Sequence, residues 1–192
     1  MRLAACHALA ENSSHEAEHA RQVTRLALAL FDQLLELHRL SNTQRQRLEY
    51  AGLLHDIGWK EGGKGHHKAS LRSILGAREL PFDKRERRIV ACVARYHRGR
   101  LPIQRHRAYG KLAARDQRVV QKLAAILRVA DGLDRSHGSV VDGLRATVSA
   151  EQVTLTCTTR GPAVAEREAA LKKSDLFTKV FRRSLVVECS SY

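Results

Sequence analysis

The stretch Leu48-Glu49-Tyr50-Ala51-Gly52-Leu53-Leu54-His55-Asp56-Ile57-Gly58 decides the reading of this chain. Leu48, Ala51 and Leu54 recur at steps of three, one face of a helix, and the helix ends on two adjacent ionisable side chains, His55 and Asp56. Upstream, Val23, Leu26, Leu30, Leu34 and Leu37 mark another helical face, and His19 stands on the same stripe. Downstream, His97 follows Val90 and Val93, and Asp131 continues the face of Leu123 and Leu127. Four helices thus each turn a His or Asp toward a common interior. A buried charge without a partner is costly, and a divalent metal is one natural partner for imidazole and carboxylate together. The mixture suits Mn, Mg, Fe, Zn or Ni without choosing among them, and leaves one or two ions open.

Working outward, the first two-thirds of the chain read as helices. Ser13 with Glu16, Ser41 with Gln44, and Asp83 with Glu86 all have capping-box spacing. Glu61 to Gly65 is glycine-rich and reads as loop, followed by a short helix from about His67 to Arg78 that Pro81 breaks. Leu101 to Gly110 is polar and basic and reads as an exposed loop, before a long helix from about Asp116 to Ser136. After Gly138 the texture changes. Val140–Val148 and Val153–Thr158 read as a hairpin, Ala163–Lys173 and Asp175–Arg183 as helices, and Leu185–Cys189 as a last strand. The expected architecture is mainly α: a helical bundle over 1–138 followed by a small α+β appendage over 139–192.

The chain has 192 residues with 43% hydrophobic and 28% charged, enough to build a core. No apolar run approaches the roughly 20 residues that span a bilayer, and Met1 to Ala10 is too weak for a secretory signal. The four cysteines, Cys6, Cys92, Cys157 and Cys189, form no CxxC pair, which argues against a zinc ribbon and for a reducing cytoplasm. The net charge is +14, and Lys60 to Arg128 alone holds 19 basic and 5 acidic residues, so the whole excess sits in one middle segment. Such a field favours a polyanion: polyphosphate, nucleotide or nucleic acid. Aromatics are only 5% and are not interleaved with that segment, which argues against a stacking single-strand binder. Trp59, beside His55-Asp56, reads as a packing lid over the rim of the site.

The ordered set His19, His55-Asp56, Asp131 resembles the HD superfamily of metal-dependent phosphohydrolases. The strings His19-Ala20-Arg21-Gln22-Val23, Ala51 through Gly58, His66-His67-Lys68-Ala69-Ser70, Ala94-Arg95-Tyr96-His97-Arg98-Gly99 and Leu127 through Ser136 are similar to the C-terminal HD-like domain of the exopolyphosphatase / guanosine pentaphosphatase family. The similarity runs from about Ser14 to Glu188. Members of that family usually begin with an actin-like catalytic core, for which this chain has no room, so a free-standing, metal-competent enzyme is expected. Ala69 departs from relatives that often carry another His after His67-Lys68.

The resemblance implies roles. His19, His55, Asp56 and Asp131 hold a first metal. His97 and one of His66 or His67 hold a second, and Asp56 bridges. A metal that lowers the pKa of water toward neutrality makes it a nucleophile on phosphorus. Asp56, Lys68 and Arg98 are the implied catalytic groups. Lys68, Arg98 and Arg128 bind substrate phosphate, and Asp134 orients a ligand histidine. The function implied is a metal-dependent phosphohydrolase acting on a phosphoester or phosphoanhydride of a phosphate-rich anion. The alternative is a non-catalytic HD module that binds polyphosphate, nucleotide or RNA in a regulatory role. No membrane partner is expected, and an exposed edge strand in the tail leaves a homodimer open.

Overall fold

The structure, a computed structural model of the chain, describes residues 1–13 and 17–191. Helices occupy the first two-thirds: α1 (Arg2–Ser13), α2 (Ala17–Gln33), α3 (Leu35–His38), α4 (Asn42–Leu54), a 3-10 turn (Ile57–Glu61), α5 (His66–Gly76), α6 (Lys84–Arg95), α7 (Arg107–Gly110) and α8 (Ala114–Gly132). The rest is β1 (Val141–Val148), β2 (Gln152–Thr159), α9 (Val164–Lys172), α10 (Asp175–Phe181) and β3 (Ser184–Ser191). The fold is therefore mainly α with a small α+β part at the C-terminal end. Among the described residues no helix is long and apolar enough to cross a membrane.

Four helices pack around one interior: α2 on α4 and α8, and α6 on α4 and α8. Leu26 and Leu30, Leu48 and Leu54, Ile89 and Val93, and Leu123 and Leu127 are fully buried there. These are the apolar stripes of the sequence, each helix burying the face that its spacing marks. The helices start where polar side chains satisfy free backbone groups. The Ser41 N–H donates to Gln44 Oε1 at 3.1 Å before α4, and Asp83 Oδ1 accepts from the Glu86 N–H at 2.8 Å before α6. The capping pair expected at Ser13 and Glu16 lies outside the described residues, since Glu16 is not among them.

Two glycines set the positions of α5 and α9. A Cβ at Gly58 would lie 2.3 Å from the His66 carbonyl oxygen and 2.4 Å from the Ser70 nitrogen, so only glycine lets α5 sit against the turn after Asp56. A Cβ at Gly132 would lie 2.5 Å from Ala170 Cα, so α8 and α9 meet backbone to backbone.

The sheet has order β1-β2-β3, with β1 antiparallel and β3 parallel to β2. α9 and α10 make the crossover that a parallel pair requires. One buried cluster runs from the helices into Val153, Leu155, Phe177 and Val187. The outer edge of β1 is covered by α2. Gln22 donates to the Val141 carbonyl (2.6 Å), and Gln33 both donates to the Leu144 carbonyl (3.0 Å) and accepts from the Ala146 N–H (2.8 Å). Side-chain amides here take the place of a neighbouring strand.

One helix was not foreseen, and two expectations need correction. Residues 2–13 form a helix that no strong apolar period announces, burying Cys6 and Ala10. The segment 101–110 is not wholly exposed, because Pro102 and Tyr109 are buried and α7 closes it. The long helix stops at Gly132, not Ser136, and Asp134 beyond it accepts from the Ser139 N–H at 2.8 Å.

Arg85 of α6 grips Asp116 of α8 through two hydrogen bonds of 2.7 and 2.6 Å. That guanidinium holds the buried Asp116 carboxyl below its usual range, with burial acting the other way. The folded value is depressed, so the contribution is fully present above the unfolded value of about 3.9 and is lost as pH falls below it. The urea midpoint of the wild type should therefore drop more steeply than that of Asp116→Asn on acidification from about pH 5 to about pH 3. Equal slopes would show that this pair carries no acid sensitivity.

Candidate metal centre

Four buried imidazoles converge on one buried carboxylate. His19 comes from the first turn of α2, His55 and Asp56 from the end of α4, His66 from the first turn of α5, and His97 from just past the end of α6. His97 lies beyond the last α6 residue, Arg95, so it is aimed by the chain's exit from the helix and not by the helical face itself.

The two oxygens of Asp56 face different pairs. Oδ2 lies 3.5 Å from His55 Nε2 and 3.8 Å from His19 Nε2. Oδ1 lies 3.2 Å from His66 Nε2 and 3.5 Å from His97 Nε2. His19, His55 and Asp56 form one group with metal-ligand spacing, and Asp56, His66 and His97 form a second that shares the carboxylate.

Each imidazole is fixed from behind. His55 Nδ1–H donates to the Gly52 carbonyl (2.7 Å), His97 Nδ1–H to the Ala94 carbonyl (2.7 Å), His66 Nδ1–H to the Gly63 carbonyl (2.9 Å), and His19 Nδ1–H to Asp134 Oδ2 (2.7 Å). The three carbonyls carry no proton, so Nδ1 of His55, His66 and His97 is the donor and Nε2 is left for the centre. His66 Nε2 and His97 Nε2 come within 3.4 Å of one another. Two lone pairs so close need a cation or a proton between them. His19 Nε2, His55 Nε2 and Asp56 Oδ1 are buried without a hydrogen-bond partner. Orphaned buried acceptors converging on a carboxylate fit a divalent ion, and the donor set of imidazole with carboxylate is the right chemistry for one.

The electrostatics agree. Burial pushes the Asp56 carboxyl up, but His55, His66 and His97 together hold it well below the usual carboxylate range. Burial lowers His97 to about 3, so it is neutral at physiological pH. Burial also works to lower His19, yet the neighbouring carboxylates of Asp131 and Asp134 raise it to about 9. A proton and a metal thus compete for His19 Nε2.

Asp131 stands one step back. Its Oδ1 is 3.4 Å from His19 Nε2 and 4.0 Å from His55 Nε2, while Oδ2 is paired with the Lys173 ammonium. Burial raises this carboxyl, and Lys173 first and then His19 bring it well below its usual range. Of the two adjacent histidines, His66 reaches Asp56. His67 does not: its ring centroid is 6.4 Å from that of His97, edge-on, and burial with nearby Arg95 lowers it to about 4.

The cations divide differently from the sequence expectation. The pocket at the centre, about 200 Å³, is lined by His19, Asp56, Trp59, His66, His97, Arg98, Asp131, Arg135, His137 and Lys173. A second cavity of about 340 Å³ adjoins it through Arg98, Arg135 and Lys173, and adds Arg128 and Lys172 with no acidic residue. Arg98 NH1 lies 3.4 Å from His66 Nε2. Lys68 is exposed and lines neither cavity. Arg128 is buried, with Asp175 at 2.8 Å and the Tyr96 and Gly99 carbonyls at 3.1 and 3.2 Å. Trp59 stacks on His66 with centroids 4.8 Å apart, on the rim. The basic excess over Lys60–Arg128 therefore contributes only Arg98 and Arg128 to these walls. Arg135, Lys172 and Lys173, which sequence reasoning missed, supply the rest. His137, stacked on His19 at 3.8 Å, was missed as well.

Among curated proteins none matches the chain. A family model described as Ppx/GppA phosphatase, domain III, matches residues 1–180. That match takes in the helical bundle, every residue around Asp56, and α9 with the lysines behind Asp131, and on it the chain belongs to the family of Ppx/GppA phosphatase domain III.

Proposed function

We propose that this protein is a metal-dependent phosphohydrolase of the HD type that cleaves phosphate-rich anions, polyphosphate or nucleotide. The observation that carries the reading is the Asp56 carboxylate, each of whose oxygens faces a pair of imidazole Nε2 atoms already fixed through Nδ1. His19, His55 and Asp56 would hold one ion and Asp56, His66 and His97 a second, with Asp131 completing the first. Bound there, a divalent ion supplies Lewis-acid polarisation of a phosphoryl oxygen and a water acidic enough to attack phosphorus.

The remaining work falls to the chain's own groups. Asp134 keeps His19 in the tautomer and rotamer that present Nε2. Arg98, Arg135, Lys172 and Lys173 make the adjoining cavity a seat for further phosphates, oriented by charge-assisted hydrogen bonds. Trp59 covers the His66 side and limits water. Arg128 acts mainly by tying Asp175 and the turn after α6 into the cavity floor. A second reading, a phosphate-binding module without turnover, is favoured by the ammonium of Lys173 sitting on Asp131, where a cation already stands.

Elemental analysis after reconstitution should give close to two divalent ions per chain. Asp56→Ala should lose both ions and all phosphohydrolase activity, whereas His97→Ala should keep about one. A metal-free wild type, or an active Asp56→Ala, would overturn the reading.

Lys173→Met should tighten divalent-ion binding by calorimetry by roughly tenfold, about 1.4 kcal/mol, because the ion no longer displaces an ammonium from Asp131. An unchanged affinity would remove Asp131 from the ligand set.

The cationic cavity makes kcat/KM rise with substrate charge, so polyphosphate or a nucleotide polyphosphate should exceed a monophosphate. The preference should shrink as salt rises, since exposed charges are screened over about 8 Å at physiological ionic strength. Rates indifferent to both salt and substrate charge would sink the steering role while leaving the metal centre intact.

A further inference from the structure

A second cluster of reactive groups lies in the sheet, away from the metal centre. In the parallel pairing of β2 with β3, Val153 is opposite Leu185, Leu155 opposite Val187, and Cys157 opposite Cys189. Paired positions in register point to the same face, and Cys157 is buried on that face with Cys189 half-buried beside it. Neighbouring strands lie about 4.8 Å apart, inside the roughly 4.4–6.8 Å between Cα atoms that a disulfide accepts. Each thiol acts on the ionisation of the other, Cys189 raising Cys157 and Cys157 lowering Cys189. Cys189 also lines a cavity of about 450 Å³ between the end of β2, the start of α9 and β3, which gives a small molecule a way in. Cys6 and Cys92 are fully buried in the helical part and line neither this cavity nor the two at the metal centre.

We propose that Cys157 and Cys189 are a redox pair that a peroxide converts to a disulfide. The Cys189 thiolate attacks one peroxide oxygen, the O–O bond breaks, and the departing oxygen takes a proton and leaves as water or alcohol. Cys189 is then a sulfenic acid. The Cys157 sulfur attacks the Cys189 sulfur, the S–O bond breaks, and the hydroxyl leaves with the Cys157 proton as water. Two thiols give up two electrons and one peroxide is reduced. Cys189 is the attacking group by access and by its neighbours. Burial raises both thiols, Cys157 to about 12; on Cys189 alone Cys157 and Arg167 act in the opposite direction, against a further rise from Glu166. The reaction is therefore slow at neutral pH and quickens as pH rises. Once formed, the bond ties the last strand to β2 around the crossover that carries α9 and α10.

The test uses the full chain, purified reduced and treated with hydrogen peroxide. A fall of about 2 Da in intact mass, two remaining free thiols, and a non-reduced peptide map joining the Cys157 and Cys189 peptides are expected. The oxidised form should melt roughly 5 °C higher, since the bond closes a loop in the unfolded chain. Cys157→Ser should stop at a Cys189 sulfenic acid that dimedone traps, and Cys189→Ser should give neither link nor trapped acid. Four thiols surviving peroxide, a link between other cysteines, or a Cys157→Ser protein that traps no dimedone would overturn the proposal. The readouts are mass and melting, so they stand whether or not the metal centre is active.

Discussion

The rest of the structure depends on one buried negative charge. Asp56 is only 4% exposed, and an ionised carboxylate removed from water must be compensated in place. Four imidazoles approach its two oxygens in pairs, Nε2 foremost, so the compensation falls to a proton or a cation held between rings and carboxylate. Imidazole is suited to this because one nitrogen can be pinned by the backbone while the other stays available. The pins at Gly52, Gly63 and Ala94 are carbonyls three residues before each histidine, so the local backbone itself aims the ring. Only His19 needs a distant side chain, Asp134, to do the same.

Helix packing then becomes a problem of bringing those rings to one point. Gly58 allows α5 to lie against the turn after Asp56, which places His66 within reach of Oδ1. Gly132 allows α9 to lie against α8, which places Lys173 on Asp131. In both cases an absent side chain in the backbone contact is what delivers a present one to the centre. The small sheet matters for the same reason, since its crossover holds α9 where the cationic cavity needs it.

Much of this was legible because it is local. The apolar stripes of α2, α4, α6 and α8 fixed which faces turn inward, and so His19, His55, Asp56 and Asp131 could be read as inward-facing from spacing alone. His97 was read for the right reason in part: Val90 and Val93 are buried, but the ring is directed by the turn beyond Arg95. The choice between His66 and His67 was not legible, because both lie in one helical turn and only the packing against Gly58 separates them. Lys172 and Lys173 were invisible, since they reach the centre through the return of α9, and a lysine pair at a helix end reads the same wherever that helix lies; Arg135 was hidden in the turn that leaves α8. α1 escaped because its buried face is made of small residues, Cys6 and Ala10, which barely modulate hydrophobicity.

The clamp that α2 places on β1 has a consequence for the order in which the molecule is made. Gln22 and Gln33 bond to backbone more than a hundred residues further along, and His19 on the same helix waits for Asp134. Contacts of such sequence separation slow folding, because a long loop must close before they can form. During synthesis α2 therefore emerges ahead of its partners with its polar side chains unmet, and Asp131 gains its ammonium only when residue 173 has left the ribosome. A nascent chain that stops short of residue 173 therefore carries the histidines without Lys173 on Asp131.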